Sequence, residues 1–290
     1  MTAWAESAAY WEKHRAVIRA MFAPMTEALL QSSGLKPGEL VLDVAGGTGE
    51  PSLTVAERLR SSGPGVSSLA SSEALGPIAG GVVCTDAVFA MVRAARVEAL
   101  RLNLTNIEFG ACLADSVPFL DNTFDIVLSR LGVMFFPDTL TALAELLRVL
   151  RPGGRLALAV WRGPEVNPFF RTVTDVMSRY VPSPPEDPQA PGAFRFAEPG
   201  LLAGLLRRAG VLDVTERILS FNIEAPVSLD RFWQVRSEMS DTLREKIRKL
   251  SPDQLRLVET EVTEAARPFF ATGKMSFPAE VIVVGGRRKG

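Results

Sequence analysis

The sequence is poor in the residues that mark several classes of protein. Its 290 residues include one histidine and two cysteines, and no apolar run reaches the ~18–20 residues that a membrane-spanning helix needs. Two cysteines cannot form a disulfide framework, so we expect Cys84 and Cys112 to be small buried residues. Lysine and arginine (32) nearly balance aspartate and glutamate (33). Because a nucleic-acid substrate calls for a basic surface, we expect none here.

The remaining composition is typical of a globular enzyme. A hydrophobic content of 47% can fill the core of one large α/β domain or of two small ones. Residues Thr2 to Glu6 lack the basic start and apolar stretch of a secretory signal, so we expect a cytoplasmic protein. We predict no membrane span and no metal site.

The segment Val41 to Pro51, with the sequence VLDVAGGTGEP, is the most informative part of the chain. A short apolar run ends in Asp43, and a glycine-rich turn then leads into a helix. Such a unit brings backbone N–H groups and the positive end of a helix against a ligand, with no side chains in between. It predicts a nucleotide-like cofactor site at the carboxyl ends of a parallel sheet.

Three kinds of cofactor loop compete for this segment. A P-loop needs a lysine after its last glycine, but Glu50 and Pro51 follow Gly49. A dinucleotide-binding loop needs the pattern G-x-G-x-x-G, and Ser52 stands where its third glycine belongs. The remaining interpretation is an acid at the strand end before a loop of the form D-x-A-G-G-T-G.

Further strand and turn motifs follow in the same half of the chain. Residues 81–86 (GVVCTD) read as a second buried strand, and the carboxylate of Asp86 at its end can accept two hydrogen bonds from ribose hydroxyls. A helix from about Ala87 to Leu100 should come next. We also predict a strand at 106–109, a turn and then a strand within 116–129, a helix at 139–150, a turn at 151–154 (RPGG) and a strand at 155–161.

In their order, these motifs resemble those of the class I S-adenosylmethionine (SAM) dependent methyltransferases, in the methyltransferase type 11 or ubiquinone/menaquinone C-methyltransferase group. The resemblance covers about Gly38 to Arg162 and includes the DVAGGTG loop, in which Ala45 takes the usual first glycine position, and the MFFPD and RVLRPGG segments. It implies an α/β fold with a Rossmann-like seven-stranded sheet, mostly parallel with an antiparallel last strand, and helical lid elements.

The resemblance also implies roles for individual residues. Asp43 would lie near the amino group of SAM, and Asp86 would bind both ribose hydroxyls. Leu113 occupies the position of the family's adenine-binding aspartate, so Asp115 or the backbone at Leu113 and Ala114 would take over that role. The other implied cofactor contacts are Ala45, Gly46, Gly47, Thr48, Gly49, Ala87, Met91, Ser129 and Arg130.

We predict one methyltransferase domain over residues 1–290. Its parts are an N-terminal helical cap (1–34), the SAM-binding core (35–162) and the remainder of the core (163–290), with substrate-side lid insertions at about 163–200 and 226–276. The cap should be a helix from about Glu6 to Gln31 that Pro24 can break. The later lid insertion should hold two amphipathic helices, one of them with a capping box at Ser251. These two helices could form a lid, a homodimer contact or both. Residues 61–80, rich in Ser, Gly and Ala, should form a surface insertion.

A few residues are candidates for the chemistry itself. His14, on the predicted cap, is either a general base or a solvent-facing helical residue. Arg130 could pair with an acidic substrate or with a helix acid. Met134 and Phe135 suit an apolar substrate pocket, or they belong to the core. Asn167 opens the sequence NPFF, which is similar to a motif of amine methyltransferases but follows the fifth strand instead of the fourth. We therefore interpret it as a loop and helix start.

The sequence thus predicts a SAM-dependent methyltransferase acting on a small, fairly apolar molecule, such as a quinone-like, phenolic or natural-product intermediate. A SAM-binding enzyme of the same fold with other chemistry, such as a cyclisation, is the first alternative. A nicotinamide-dependent oxidoreductase is the second, and Ser52 and the expected antiparallel last strand disfavour it. A non-catalytic interaction module is the third.

Overall fold

A seven-stranded sheet lies at the centre of the computed structural model, which describes residues 2–61, 80–182 and 187–290. The strand order is β3-β2-β1-β4-β5-β7-β6. β1 to β5 pair in parallel, and β7 is antiparallel to β5. The predicted fold is therefore confirmed. The strands are β1 (Leu40–Val44), β2 (Gly81–Asp86), β3 (Ile107–Ala111), β4 (Phe124–Arg130), β5 (Leu150–Trp161), β6 (Leu212–Ala225) and β7 (Met275–Arg287).

Helices cover much of the remaining described chain. α3 and α4 pack against β2 and β3, and α5 packs against β5. Over the described ranges, no helix is both long enough and apolar enough to cross a bilayer. The helices are α1 (Thr2–Lys13), α2 (Arg15–Ser33), α3 (Ser52–Ser61), α4 (Phe89–Arg101), α5 (Thr139–Val149), α6 (Pro168–Tyr180), α7 (Leu201–Arg208), α8 (Leu229–Met239), α9 (Asp241–Ile247) and α10 (Pro252–Ala266).

The chain divides into two compact units. The sheet unit consists of Met25–Trp161, Pro191–Leu219 and Val281–Gly290, and the helical unit consists of Met1–Pro24, Arg162–Ala190 and Ser220–Glu280. A single domain over the whole chain stays a prediction. Most of the predicted insertion at 61–80, residues 62–79, lies outside the described residues, as do residues 183–186 of the first lid segment.

In the sheet unit, the strands position the site by their register. Every residue of β1 is buried, as expected for a parallel strand covered on both faces. Asp43 is paired with Cys84 of β2 on one side and with Leu128 of β4 on the other. The chain runs from β1 to β2 and β3 on one side of the sheet and continues with β4 and β5 on the other. The end of β1 is therefore the topological switch point, where open α/β sheets bind ligands.

Two local expectations need correction. The break in the N-terminal helix is at His14, and Pro24 lies inside α2. Its neighbours Met21 and Met25 are fully buried, and this burial outweighs the ~3 kcal/mol that an internal proline costs a helix. The turn predicted at 151–154 is part of β5, where the register with β4 shifts. Gly153 has a positive φ of 74° there, and its N–H donates to the carbonyl of Arg288, at 3.2 Å.

The helical unit contains the predicted lid segment at 226–276. It has three α-helices, α8, α9 and α10, where the sequence indicated two. The additional helix begins after Ser240, whose hydroxyl accepts a hydrogen bond from the N–H of Leu243. The predicted capping box is present, because Ser251 and Gln254 exchange side-chain and backbone hydrogen bonds at the start of α10.

Candidate functional site

The glycine-rich loop after β1 adopts a left-handed backbone. Ala45 has φ of 57°, Gly47 of 57° and Gly49 of 115°. The N–H of Gly46 donates to the carbonyl of Thr85 at 2.9 Å, which holds the loop against the end of β2. Glycine suits this conformation because it has no Cβ. Ala45 carries a left-handed strain of ~1–2 kcal/mol at the position where the resembled family usually has glycine.

Asp86 joins this loop to the start of α4. One carboxylate oxygen, Oδ2, accepts from the N–H of Gly47 at 3.0 Å, and Oδ1 accepts from the N–H of Val88 at 2.8 Å. Burial raises the pKa of Asp86, and these two backbone bonds oppose that shift. Each oxygen of an ionised carboxylate has a second lone pair. Asp86 can therefore still accept two hydrogen bonds from a diol.

Asp43 lies fully buried beneath the loop. Its Oδ2 accepts from both the N–H (3.1 Å) and the hydroxyl (2.5 Å) of Ser52, the first residue of α3. Its Oδ1 is buried and finds no hydrogen-bond partner within the described chain. Burial raises the pKa of Asp43 to about 7, although the bonds from Ser52 and the charge of Arg130 act in the opposite direction. The sequence signal for this role of Ser52 was a helix-start residue directly after the loop.

Arg130 ends β4 in the same buried region. Its Nη1 donates to the hydroxyl of Thr26 at 2.7 Å. Burial lowers the pKa of Arg130, while the nearby charges of Glu50 and Asp43 raise it. The structure therefore places Arg130 near the charges of a loop acid and a strand acid, and its pairing with an acidic substrate or with a helix acid stays a prediction.

The end of β4 approaches the loop very closely at Gly132. A Cβ on Gly132 would lie 2.5 Å from the Cβ of Ala45 and 2.7 Å from Oγ of Ser129. That hydroxyl of Ser129 is buried and has no hydrogen-bond partner in the part of the chain that the structure describes. Ser129 was among the predicted cofactor residues. Gly132 was missed, since a glycine after a strand is an ordinary turn signal.

The predicted adenine contacts gather at the end of β2. The N–H of Cys112 donates to the carbonyl of Asp86 at 3.1 Å, which places the segment 112–115 next to that strand end. Leu113 is 48% exposed, whereas Met91 on α4 is buried. Ala87 is exposed, and Ala114 and Asp115 are half-buried. The structure therefore brings these residues together at one edge, and their contact with adenine stays a prediction.

A model of the ubiE/COQ5 methyltransferase family matches residues 24–181. The chain belongs to this family. The match includes β1 to β5 and the loop with Asp43 and Asp86. It confirms the predicted class I methyltransferase family and its cofactor class.

Individual relatives extend the comparison. The uncharacterized protein Rv1405c of Mycobacterium tuberculosis is 31% identical over 200 residues, which are 67% of this chain and 64% of that protein. The chain thus spans less than two thirds of that relative's length. The ubiquinone/menaquinone biosynthesis C-methyltransferase UbiE of Hahella chejuensis is 35% identical over 51% of this chain and 53% of its own length. The nocamycin O-methyltransferase of Saccharothrix syringae is 29% identical over 92% of this chain and 91% of its own.

Among solved structures, a putative methyltransferase from Bacillus halodurans superimposes with a TM-score of 0.54. The superposition covers 91% of this chain and 99% of that protein, at 20% sequence identity. At this level of identity the likeness bears on the fold, and it agrees with the seven-stranded methyltransferase sheet.

The substrate-pocket candidates of this methyltransferase family member follow β4. Met134 is buried, and its carbonyl accepts from the N–H of Gly192 at 3.1 Å. Phe135 is half-buried. Arg195 Nη1 donates to the carbonyl of Phe136 at 2.6 Å. These bonds connect the turn after β4 to the segment 191–195. Their part in substrate binding stays a prediction.

The candidate base, His14, belongs to the helical unit and is 4% exposed. Its Nε2 lies 2.5 Å from Oε2 of Glu238, and Lys13 Nζ lies 2.7 Å from the other oxygen of that carboxylate. The alternative of a solvent-facing histidine is therefore wrong, because α8 supplies a carboxylate that orients the ring. A catalytic role for His14 stays a prediction.

Asn167, at the start of the NPFF sequence, is fully buried. Its Nδ2 donates to the carbonyls of Arg162 (3.0 Å), Gly163 (3.0 Å) and Glu280 (3.1 Å). Its Oδ1 accepts from the N–H of Glu280 at 3.0 Å. The whole amide is thus occupied by backbone groups, which supports our interpretation of NPFF as a structural loop and helix start.

Proposed function

We propose that the protein is a SAM-dependent methyltransferase that transfers a methyl group to a small, fairly apolar molecule, such as a quinone-like, phenolic or natural-product intermediate. The observation that carries the proposal is the arrangement of Asp43 and Asp86 at neighbouring strand ends around a left-handed glycine-rich loop. Membership of the ubiE/COQ5 methyltransferase family supports it. Two relatives are named as a C-methyltransferase of ubiquinone/menaquinone biosynthesis and a nocamycin O-methyltransferase, which favours a small acceptor.

The residues of this region fit the groups of the cofactor. SAM presents an ammonium group, and Asp43 Oδ1 is a buried acceptor without a partner among the described residues. The cofactor also presents a ribose diol, and both oxygens of Asp86 keep a free lone pair beside their backbone bonds. Ser129 Oγ is a further buried polar atom without a described partner. Asp43 would bind at the amino group and Asp86 at the ribose, as the resemblance implies.

Methyl transfer from SAM requires little acid–base catalysis by the protein. The sulfonium of SAM is already activated, so the protein aligns a nucleophile with the S–CH3 bond and excludes water. A phenol or hydroxyl acceptor needs a general base, and His14 is the candidate for it. An activated carbon or a thiolate needs none. Arg130 is the candidate to bind an acidic group of the acceptor, with Met134 and Phe135 as its apolar contacts.

One alternative function fits the fold less well, and another is separated from methyl transfer only by its product. A nicotinamide-dependent oxidoreductase does not normally have a last strand antiparallel to its neighbour, as β7 is to β5. In addition, the hydroxyl of Ser52 binds Asp43 at the position where a dinucleotide loop has glycine. A SAM-binding enzyme with other chemistry would share the cofactor site, so formation of S-adenosylhomocysteine is the observation that separates it from a methyltransferase.

Thermal unfolding with SAM, S-adenosylhomocysteine and NADH added separately tests the cofactor. A ligand at about 100 times its dissociation constant stabilises a protein by ~2.7 kcal/mol, which is a measurable shift. We expect a shift with SAM and S-adenosylhomocysteine and none with NADH. Chromatographic detection of S-adenosylhomocysteine over a panel of phenols and quinols then tests the reaction. A shift with NADH alone would reject the proposal.

Partners and location complete the proposal. We propose that the protein works in the cytoplasm on a small molecule and needs no nucleic acid. The helices of the segment 226–276 are the candidate contact of a homodimer. Light scattering of the purified protein tests the dimer, and a monomer at micromolar concentration would reject it.

A further inference from the structure

Arg236 is a buried cation on the apolar face of α8. The other buried residues of this helix are Phe232, Val235 and Met239, at the spacing of one helical face. Arg236 is 6% exposed, and its Nε is buried without a hydrogen-bond partner. It occupies a position where the pattern of the helix calls for an aliphatic residue.

Aromatic rings surround its guanidinium. The Cζ atom lies 4.3 Å from the ring centre of Phe169 and 5.3 Å from that of Phe170. Phe169 also contacts Phe232 and Phe277, with ring centres 6.1 and 5.5 Å apart. Ring faces attract a cation, but they do not replace the hydrogen-bond acceptors that a guanidinium loses on leaving water.

No carboxylate within residues 2–61, 80–182 and 187–290 forms an ion pair with Arg236. Glu238, two residues further along α8, is bonded to Lys13 and His14. Asp230, on the preceding turn, is exposed to solvent. Burial lowers the pKa of Arg236 to about 10, so the side chain remains charged at neutral pH. The helical unit therefore contains a buried positive charge without a described counter-ion.

We propose that Arg236 binds the carboxylate of a flat, apolar organic acid within the helical unit. The planar guanidinium pairs with a carboxylate through two parallel hydrogen bonds. One arginine compensates one negative charge, which favours a monoanion over a phosphate dianion. Phe170, which is half-buried beside the guanidinium, provides an aromatic surface for the apolar part of the acid. The inference concerns binding within the helical unit and does not depend on the proposed function.

The test compares Arg236→Met with Arg231→Met. Arg231 is exposed on the same helix, so its replacement is the matched control. If Arg236 served only to stabilise the fold, its replacement would lower the stability of the protein. If Arg236 instead serves to bind a ligand, its replacement should not lower the stability of the ligand-free protein. An apolar side chain of similar length removes a buried charge that has no partner. We expect the melting temperature of the ligand-free Arg236→Met protein to equal that of the parent or to exceed it by about 2–4 °C.

Binding is measured with benzoate and cinnamate, with their neutral methyl esters and with inorganic phosphate. We expect both acids to raise the melting temperature of the parent and of Arg231→Met, and neither ester nor phosphate to do so. Arg236→Met should lose at least about 30-fold in affinity for the acids. Arg236→Lys keeps the charge but not the planar guanidinium, so it should retain part of the affinity for the acids.

Three outcomes would overturn the proposal. One is a melting temperature of ligand-free Arg236→Met several degrees below that of Arg231→Met. Another is a lack of selectivity, in which the parent binds acids and esters equally or the parent and Arg236→Met bind the acids equally. The third is no effect of either acid on the parent.

Discussion

Ser52 binds the carboxylate of Asp43 from one side only. Its N–H and its hydroxyl both donate to Oδ2, at 3.1 and 2.5 Å, while Oδ1 is buried without a partner among the described residues. The bond to the N–H caps the first turn of α3. It also leaves one acceptor of a fully buried acid for a donor that the described chain does not supply. The properties of this pair lead to the first two predictions.

The stability of the protein should depend on the ionisation of Asp43. Burial raises its pKa from 3.8 to about 7 in the folded chain, so the folded state holds a proton that the unfolded state has already released. Stability therefore falls as pH rises from about 4 to 7, by up to ~1.4 kcal/mol per pH unit, and this contribution is constant above the folded pKa. Urea unfolding at pH 5, 6, 7 and 8 measures it. Asp43→Asn cannot ionise and should show a flatter profile; identical slopes for both proteins would contradict the prediction.

Binding of SAM at pH 6 should release a proton if its ammonium group lies beside Asp43. The positive charge favours the ionised carboxylate, which is the minor form of the ligand-free protein at that pH. Calorimetric titrations in two buffers of different ionisation enthalpy measure the protons released. We expect release at pH 6, little at pH 8.5 and none with Asp43→Asn. Equal values for parent and variant at pH 6 would remove Asp43 from the amino-group site.

Asp86→Ala should weaken SAM binding by about 1.5–3 kcal/mol, which is the scale of hydrogen bonds to a charged group. The substitution also removes the acceptor for the N–H groups of Gly47 and Val88. Asp121→Ala is the control, since Asp121 is an exposed partner of Arg148 and should leave the affinity unchanged. Isothermal titration with SAM measures both variants. Parental affinity in Asp86→Ala would show that the proposed cofactor position is wrong.

Gly132→Ala should destabilise the protein by ~1–3 kcal/mol, the usual cost of overpacking. The new Cβ would lie 2.5 Å from the Cβ of Ala45. Adding Ala45→Gly removes that atom and should restore part of the loss, measured by urea unfolding. Gly204→Ala is the control: its Cβ meets nothing within 4 Å, and alanine in a helix should add ~0.5–1 kcal/mol. If Gly132→Ala unfolded with the same free energy as the parent, the close approach of the loop to the end of β4 would be contradicted.

Asn167→Ala should lower stability by about 1–3 kcal/mol and leave the affinity for SAM unchanged. It removes the donor to the carbonyl of Arg162 and the acceptor of the Glu280 N–H, whereas the carbonyls of Gly163 and Glu280 keep the N–H groups of Val166 and Arg162. Asn222→Ala, at an exposed position of β6, is the matched control and should be neutral. If Asn167→Ala instead kept parental stability and abolished methyl transfer, the NPFF sequence would be part of the catalytic machinery.

Much of the sheet and of its loop was predictable because their signals are local. β1, β2 and β4 are short apolar runs, and the acids at the ends of β1 and β2 stand within or next to them in the sequence. An apolar run of this length indicates a strand that is buried on both faces. A glycine-rich turn indicates a left-handed backbone conformation that other residues avoid. The helix boundaries were less predictable. Pro24 indicated a break that packing around α2 overrides.

The sequence by itself determined the family, the strand–loop–helix unit around Asp43 and the acid at the end of β2, because each depends on neighbouring residues. Only the tertiary structure decided which side chains meet across long separations. Asn167 bonds Glu280 across 113 positions, and His14 reaches Glu238 across 224. The burial of Arg236 among phenylalanines of α6 likewise arises from helix packing. Burial and pairing are properties of the folded chain, so they set the pKa of Asp43 and isolate the charge of Arg236 in ways that no local pattern could show.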